Sequence, residues 1–235
     1  MKTIGLIGGM SWESSIEYYR IINQLVKEKL GGLHSAKSVM VSVDFDPVEE
    51  LMSAGKWAAV SEHLIAAAKQ AEAGGADLLL IATNTMHKLF DQVSAAVEIP
   101  LLHIADAAAV RIQDLGLARV VLLGTIYTME QDFYCGRLEE KFGIEVIIPE
   151  KADRQRVDRI IWEELVHGKI VPESKTEYLR IIDLLAEQGA EGIILGCTEI
   201  PLLVKPEDVR VPIFDTTFLH AQMAVEIALG EREMN

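Results

Sequence analysis

The chain of 235 residues predicts an α/β fold built as two similar lobes, each a parallel sheet flanked by helices. Three observations predict it. Short apolar segments of strand-forming residues alternate with longer segments of helical period, and the second half of the chain restates the first at a nearly constant spacing. Half of the residues are hydrophobic and only 7 are proline, enough apolar material to bury a large core.

Taken in order, "TIGLIG" (3–8) predicts a first strand, and "WESSIEYYRIINQLVKEKL" (12–30) the helix after it. A second strand, "SVMVSVDF" (38–45), precedes the helix "WAAVSEHLIAAAKQAEAG" (57–74). A third, "DLLLIAT" (77–83), precedes a helix over "MHKLFDQVSAAV" (86–97). Its apolar run stops at three small polar residues, Thr83, Asn84 and Thr85, beside His87. Farther on, "ARVVLLG" (118–124) and "IILG" (193–196) read as strands and "EQDFYCGRLEE" (130–140) has helical period.

The repeat carries more weight than any single element. "AGGADLLLIATNTMHKL" (73–89) aligns with "EQGAEGIILGCTEIPLL" (187–203), which sets Gly75 over Gly189, Ala76 over Ala190, Asp77 over Glu191 and Thr83 over Cys197, an offset of 114. "VEIPLLHIAD" aligns with "VRVPIFDTTF", Pro100 over Pro212, at 112, and "LIGGMS" with "LLGTIY", Gly8 over Gly124, at 116. Duplication gives two Rossmann-like lobes related by a pseudo-twofold axis, residues 1–104 with 216–235 and residues 105–215. Open parallel sheets bind ligands at the carboxyl ends of their strands, so the expected active site is a cleft between the lobes, with Thr83 on one wall and Cys197 on the other. Either turn alone is also explained as a helix start, with Thr83 or Asn84 as the capping residue.

Composition removes several function classes. A formal net charge of −14 repels phosphate backbones and anionic lipid surfaces, which argues against nucleic acid and membrane partners. The opening residues reach turn glycines too soon for the apolar core of a signal peptide, and no apolar run approaches bilayer length. With Cys135 and Cys197 as its two cysteines, the chain reads as cytoplasmic with both thiols free. The six histidines show no metal-ligand spacing, so no metal is expected. Cys135 has no counterpart in the other half and reads as a bystander.

A cysteine at a strand end before a helix lies near backbone N–H groups and the positive end of the helix dipole, which predicts a lowered pKa for Cys197 and a role as base or nucleophile. The turn of Gly8, Gly9, Met10 and Ser11 offers amides that suit a carboxylate, although "GLIGGM" lacks dinucleotide-binding spacing. Thr125, counterpart of Gly9 in the alignment, is expected to line the cleft.

"IILGCTEIPLL", "TNTMH" and the opening "GLIGGMSWESSIEYYR" resemble the aspartate/glutamate racemase superfamily, on its aspartate racemase branch, and the resemblance runs over essentially the whole chain. It implies racemisation of aspartate or glutamate without pyridoxal phosphate or any other cofactor, by two groups on opposite faces of the α-carbon. Carried over, the family's second cysteine is Cys197 and its first is Thr83, while Met10, Ser11, Asn84, Thr85, Thr125 and Thr198 become substrate contacts. A homodimer is the family expectation. A threonine hydroxyl is a far weaker acid than a thiol and a poor base, so turnover is expected to depend strongly on which enantiomer is supplied, unless His87 folds back toward Thr83. The segments "DFDPVEELM" and "EELVHGKI", where related enzymes place basic residues, offer only His167 and Lys169 for a side-chain carboxylate. Two other readings of the chain are a single-thiol decarboxylase or isomerase of dicarboxylic acids, and a non-catalytic amino-acid binding protein with a decayed site.

Overall fold

The structure, a computed structural model, describes residues 1–233. The chain divides into two compact units, Met1–His103 with the chain from His220 onward, and Ile104–Leu219.

Unit 1 contains β1 (Ile4–Gly8), α1 (Trp12–Leu30), β2 (Ser38–Ser42), α2 (Phe45–Ser53), α3 (Trp57–Ala73), β3 (Leu78–Ile81), α4 (Phe90–Ser94) and β4 (Leu101–Leu102). Its strands are all parallel, in the order β2-β1-β3-β4. Unit 2 contains α5 (Ile104–Asp114), β5 (Arg119–Gly124), α6 (Ile126–Glu130), α7 (Cys135–Phe142), β6 (Glu145–Ile147), α8 (Lys151–Glu163), α9 (Pro172–Glu187), β7 (Gly192–Gly196), α10 (Ile200–Leu203) and β8 (Ile213–Asp215). The order there is β6-β5-β7-β8, again parallel, so the two sheets share one topology. Helix α11 (Thr216–Leu229) begins in unit 2, and from His220 it belongs to unit 1.

Both central strands of unit 2 are apolar on consecutive residues because helices cover both faces of the sheet. Val121 and Leu123 of β5 pack with Ile193 and Leu195 of β7 against α8 and α9, while Val120, Leu122 and Ile194 face α5 and α7. In unit 1, Ile4, Leu6, Leu78 and Leu80 pack against Tyr18, Ile22 and Val26 of α1 and Ala221, Ala224 and Val225 of α11.

The duplication is visible at the level of single hydrogen bonds. Gly75 and Gly189, at φ +89° and +95°, each turn the chain from a helix into a strand, a left-handed conformation that glycine adopts without a Cβ penalty. Asp77 Oδ2 accepts from Thr3 N at 2.6 Å, and Glu191 Oε2 accepts from Ala118 N and Arg119 N at 2.8 and 3.0 Å. Leu79 N donates to Pro100 O at 2.8 Å, and Ile193 N to Pro212 O at 2.9 Å.

Two expectations fail locally. The second strand stops at Ser42, and α2, which periodicity did not signal, starts at Phe45; Pro47 falls in its first turn, where a missing N–H is no loss. The helix expected over 86–97 is a 3₁₀ turn, Thr85–Leu89, followed by the short α4. In an α-helix the main-chain N–H of His87 would pair with Thr83 O; that carbonyl is taken by the His87 ring, and the N–H turns to Asn84 O at 3.0 Å.

Candidate active site

In unit 1 the turns after β1 and β3 are neighbours because the strands run in register, Ile7 beside Ile81. Thr83 sits half-buried directly after β3, with Asn84 and Thr85 buried beyond it. Met10 and Ser11 occupy the turn after β1, Met10 buried and Ser11 capping α1 through Ser14 N–H to Ser11 Oγ at 3.3 Å. The amide of Gly9 donates to Ser15 Oγ at 2.8 Å, which removes this one amide from those expected to meet a carboxylate. Ser15 Oγ in turn donates to Ser11 O at 3.0 Å, so the turn is closed on itself.

In unit 2 the register Gly124 beside Gly196 brings the turn carrying Thr125 next to the one carrying Cys197 and Thr198. Cys197 Sγ donates to Glu199 Oε2 at 2.9 Å, and Thr198 Oγ1 donates to the same oxygen at 2.7 Å. Glu199 is itself buried. The Cys197 pKa is raised well above its ordinary value, by burial first and then by the Glu199 carboxylate and its hydrogen bond, with the N–H groups of Glu199 and Thr198 opposing. This reverses the expected direction. The helix that follows, α10, has 4 residues, too short a stack of peptide dipoles to offset burial beside a carboxylate.

A family model described as Asp/Glu/Hydantoin racemase matches residues 7–224. The chain belongs to that family. A Yersinia pestis protein whose crystal structure is described as that of a candidate Asp/Glu racemase is 55% identical to it, over 97% of this chain and 100% of that one, with a TM-score of 0.92. An aspartate racemase homologue from Pyrococcus horikoshii OT3 is 38% identical over 97% and 100%, with a TM-score of 0.85. The broad specificity amino-acid racemase RacX of Bacillus subtilis is 24% identical over 73% of each chain.

Within this Asp/Glu racemase-family chain, the structure gathers Met10, Ser11, Thr83, Asn84 and Thr85 at the strand ends of unit 1, and Thr125, Cys197 and Thr198 at those of unit 2. Asn84 makes no capping bond, whereas Thr125 caps α6, its Oγ1 accepting from Thr128 N at 3.3 Å. In that role Thr125 matches Ser11, which caps α1, rather than Gly9. His167 and Lys169 are exposed, on and after a short turn, Leu165–His167, that packs against α10. Val48, in the segment "DFDPVEELM", is buried. Cys135 and Cys197 are both free thiols, and burial pushes the Cys135 pKa up to about 11. Among the described residues no helix is long and apolar enough to cross a membrane.

Two neighbours of these turns, Glu199 and Asp158, escaped sequence reading, and a third, His87, bonds differently from the expectation. Glu199 stood in the quoted "CTE" and was passed over because its partner, the thiol, was expected to be ionised. Asp158 Oδ1 accepts from Ile126 N at 2.8 Å and so anchors the turn beside Thr125 from 32 residues away. His87 does fold back, but to the Thr83 carbonyl at 2.9 Å and not to the hydroxyl.

Proposed function

We propose that the protein racemises an acidic amino acid, aspartate or glutamate or both, without a cofactor. Cys197 removes the α-proton from one face as thiolate, and Thr83 serves the other face in place of a second cysteine. The observation that carries this reading is the pair of half-buried Cys197 and buried Glu199, because a thiol whose pKa desolvation raises needs a proton acceptor and Glu199 Oε2 lies 2.9 Å away. The thiol proton passes to the carboxylate, the thiolate takes the α-proton, and the planar carbanion receives a proton from the Thr83 hydroxyl on its far face. Water refills Thr83, and the resulting hydroxide takes the proton from Glu199, which restores both groups.

The names of the relatives support amino-acid racemisation, through a broad-specificity amino-acid racemase at 24% identity, and an acidic substrate, through an aspartate racemase homologue at 38%. Met10, Ser11, Asn84, Thr85, Thr125 and Thr198 are the proposed substrate contacts. A cytoplasmic location accords with two free thiols. A homodimer accords with the row of Trp12, Ile16 and Tyr19 on one face of α1, all more than half exposed, since such a stripe suits a second copy of the chain.

The test is incubation of each enantiomer of aspartate and glutamate in deuterated water, followed by chiral separation and mass measurement. Deuterium enters the α-carbon with inversion in the native protein and not in Cys197→Ser. No deuterium from any of the four amino acids would overturn the reading.

A further inference from the structure

We propose that His87 is a positioning residue for Thr83: by holding the Thr83 carbonyl it fixes the direction in which the Thr83 hydroxyl is presented. The inference rests on the role given to Thr83 under the proposed function.

Three consecutive carbonyls of this turn are each held by a defined donor. Ala82 O accepts from Ser14 Oγ at 3.1 Å, a proton shared with Ser11 O at 2.9 Å, Thr83 O from His87 Nδ1 at 2.9 Å and Asn84 O from the His87 main-chain N–H at 3.0 Å. The first two bonds fix the peptide planes on either side of Thr83, and two fixed planes determine its φ and ψ. With the backbone set, a β-branched side chain has few χ1 choices left, so the hydroxyl direction follows.

The ring that makes the middle bond is itself locked. His87 is 1% exposed, with its ring centroid 4.8 Å from His103, 5.6 Å from His220 and 6.3 Å from Phe90. A carbonyl only accepts, so Nδ1 of His87 carries a proton. Behind it, His220 Nε2 donates to Leu102 O at 3.1 Å, and its Nδ1 meets Tyr18 Oη at 2.9 Å. Burial, and then the neighbouring His87, hold His220 neutral, so its Nδ1 accepts from the Tyr18 hydroxyl. The three imidazoles pack at steep angles behind the turn, with the protons of His87 and His220 assigned by their carbonyl partners, and the buried His87 has no room to swing away from Thr83.

The test exploits the difference between the two ring nitrogens. His87→Asn puts an amide N–H where Nδ1 lies and keeps inversion within about fivefold; His87→Gln puts it where Nε2 lies and loses roughly a hundredfold in kcat, the scale of a misplacement near 1 Å, with KM changed far less. Deuterium exchange without inversion, from the enantiomer whose α-hydrogen faces Cys197, persists in His87→Gln and certifies an intact Cys197 side. Should the Gln variant not fold, Ser14→Ala, which frees the carbonyl on the other side of Thr83, shows the same split. Equal activity of the folded Asn and Gln variants, whether both normal or both impaired, overturns the proposal. Thr83→Ala separates the two layers: if it inverts at the native rate, the role of Thr83 fails and His87 positioning with it. If Thr83→Ala is inactive while His87→Gln is normal, positioning alone fails.

Discussion

The thiol of Cys197 and the carboxylate of Glu199 share a proton line of 2.9 Å in a half-buried turn. Glu199 therefore disfavours the thiolate electrostatically and yet is the group placed to receive the thiol proton. The two effects have opposite signs in Glu199→Gln. Removing the charge makes Cys197 easier to ionise, so its alkylation by iodoacetamide, followed by peptide mass spectrometry, speeds up at pH 8. Turnover falls by about a hundredfold because the proton acceptor is gone. Faster alkylation with undiminished turnover would leave Glu199 without a catalytic part.

Burial raises both thiols, Cys135 to about 11 and Cys197 well above its usual value. A raised pKa means that the thiolate fraction keeps growing with pH across the neutral range, by about tenfold per unit. Alkylation of native Cys197 is thus slow at pH 7 and gains close to that factor per unit up to pH 9. A plateau below pH 8 would contradict the burial of the thiol.

Thr83 makes the two faces of the reaction unequal. Because the enantiomers have equal free energies, kcat/KM is the same in both directions, and the asymmetry appears in the separate kcat and KM values and in exchange without inversion. Thr83→Cys supplies a stronger acid and base on that face and raises the slower kcat by roughly tenfold or more. Initial rates from each pure enantiomer check this; equal kcat values in the native protein would remove the asymmetry.

His220 links stability to acidity. Its folded-state pKa lies well below the ordinary 6.5, first through burial and then through His87, so the unfolded chain binds a proton that the folded one refuses. Its effect is absent above about pH 6.5 and stability falls as pH drops below that value, by at most about 1.4 kcal/mol per unit. Urea unfolding between pH 7.5 and 5 measures the slope, and His220→Gln flattens it.

Glycine substitutions separate backbone strain from collision. Gly75, at φ +89° with open space around it, tolerates Ala at about 1–2 kcal/mol. A Cβ on Gly9, at φ +94°, would lie 2.2 Å from the Val43 carbonyl oxygen. Gly9→Ala must shift that backbone and costs about 3 kcal/mol or more, with the closed turn at Ser11 disturbed. Comparison of the two denaturation midpoints checks the order.

Strands were legible in the sequence wherever burial on both faces left an unbroken apolar run, as in "DLLLIAT" and "ARVVLLG". The repeat was legible because equivalent turns demand the same residue types, glycine at 75 and 189 and a carboxylate at 77 and 191. Helix α2 was not, because nine residues around Pro47 carry too few turns to show a period. The state of Cys197 was misjudged because the dipole argument assumed a long exposed helix end.

By itself the sequence determined which residues stand at the strand ends, Thr83 and Cys197 among them, since strand and turn chemistry is written in neighbouring residues. Only the tertiary structure decided what those side chains touch: a carboxylate against the thiol, Ser15 on the Gly9 amide, and an imidazole cluster brought together from positions 87, 103 and 220. Burial and hydrogen bonding depend on distances between segments far apart in the chain, and those distances exist only after the sheet and its helices have packed.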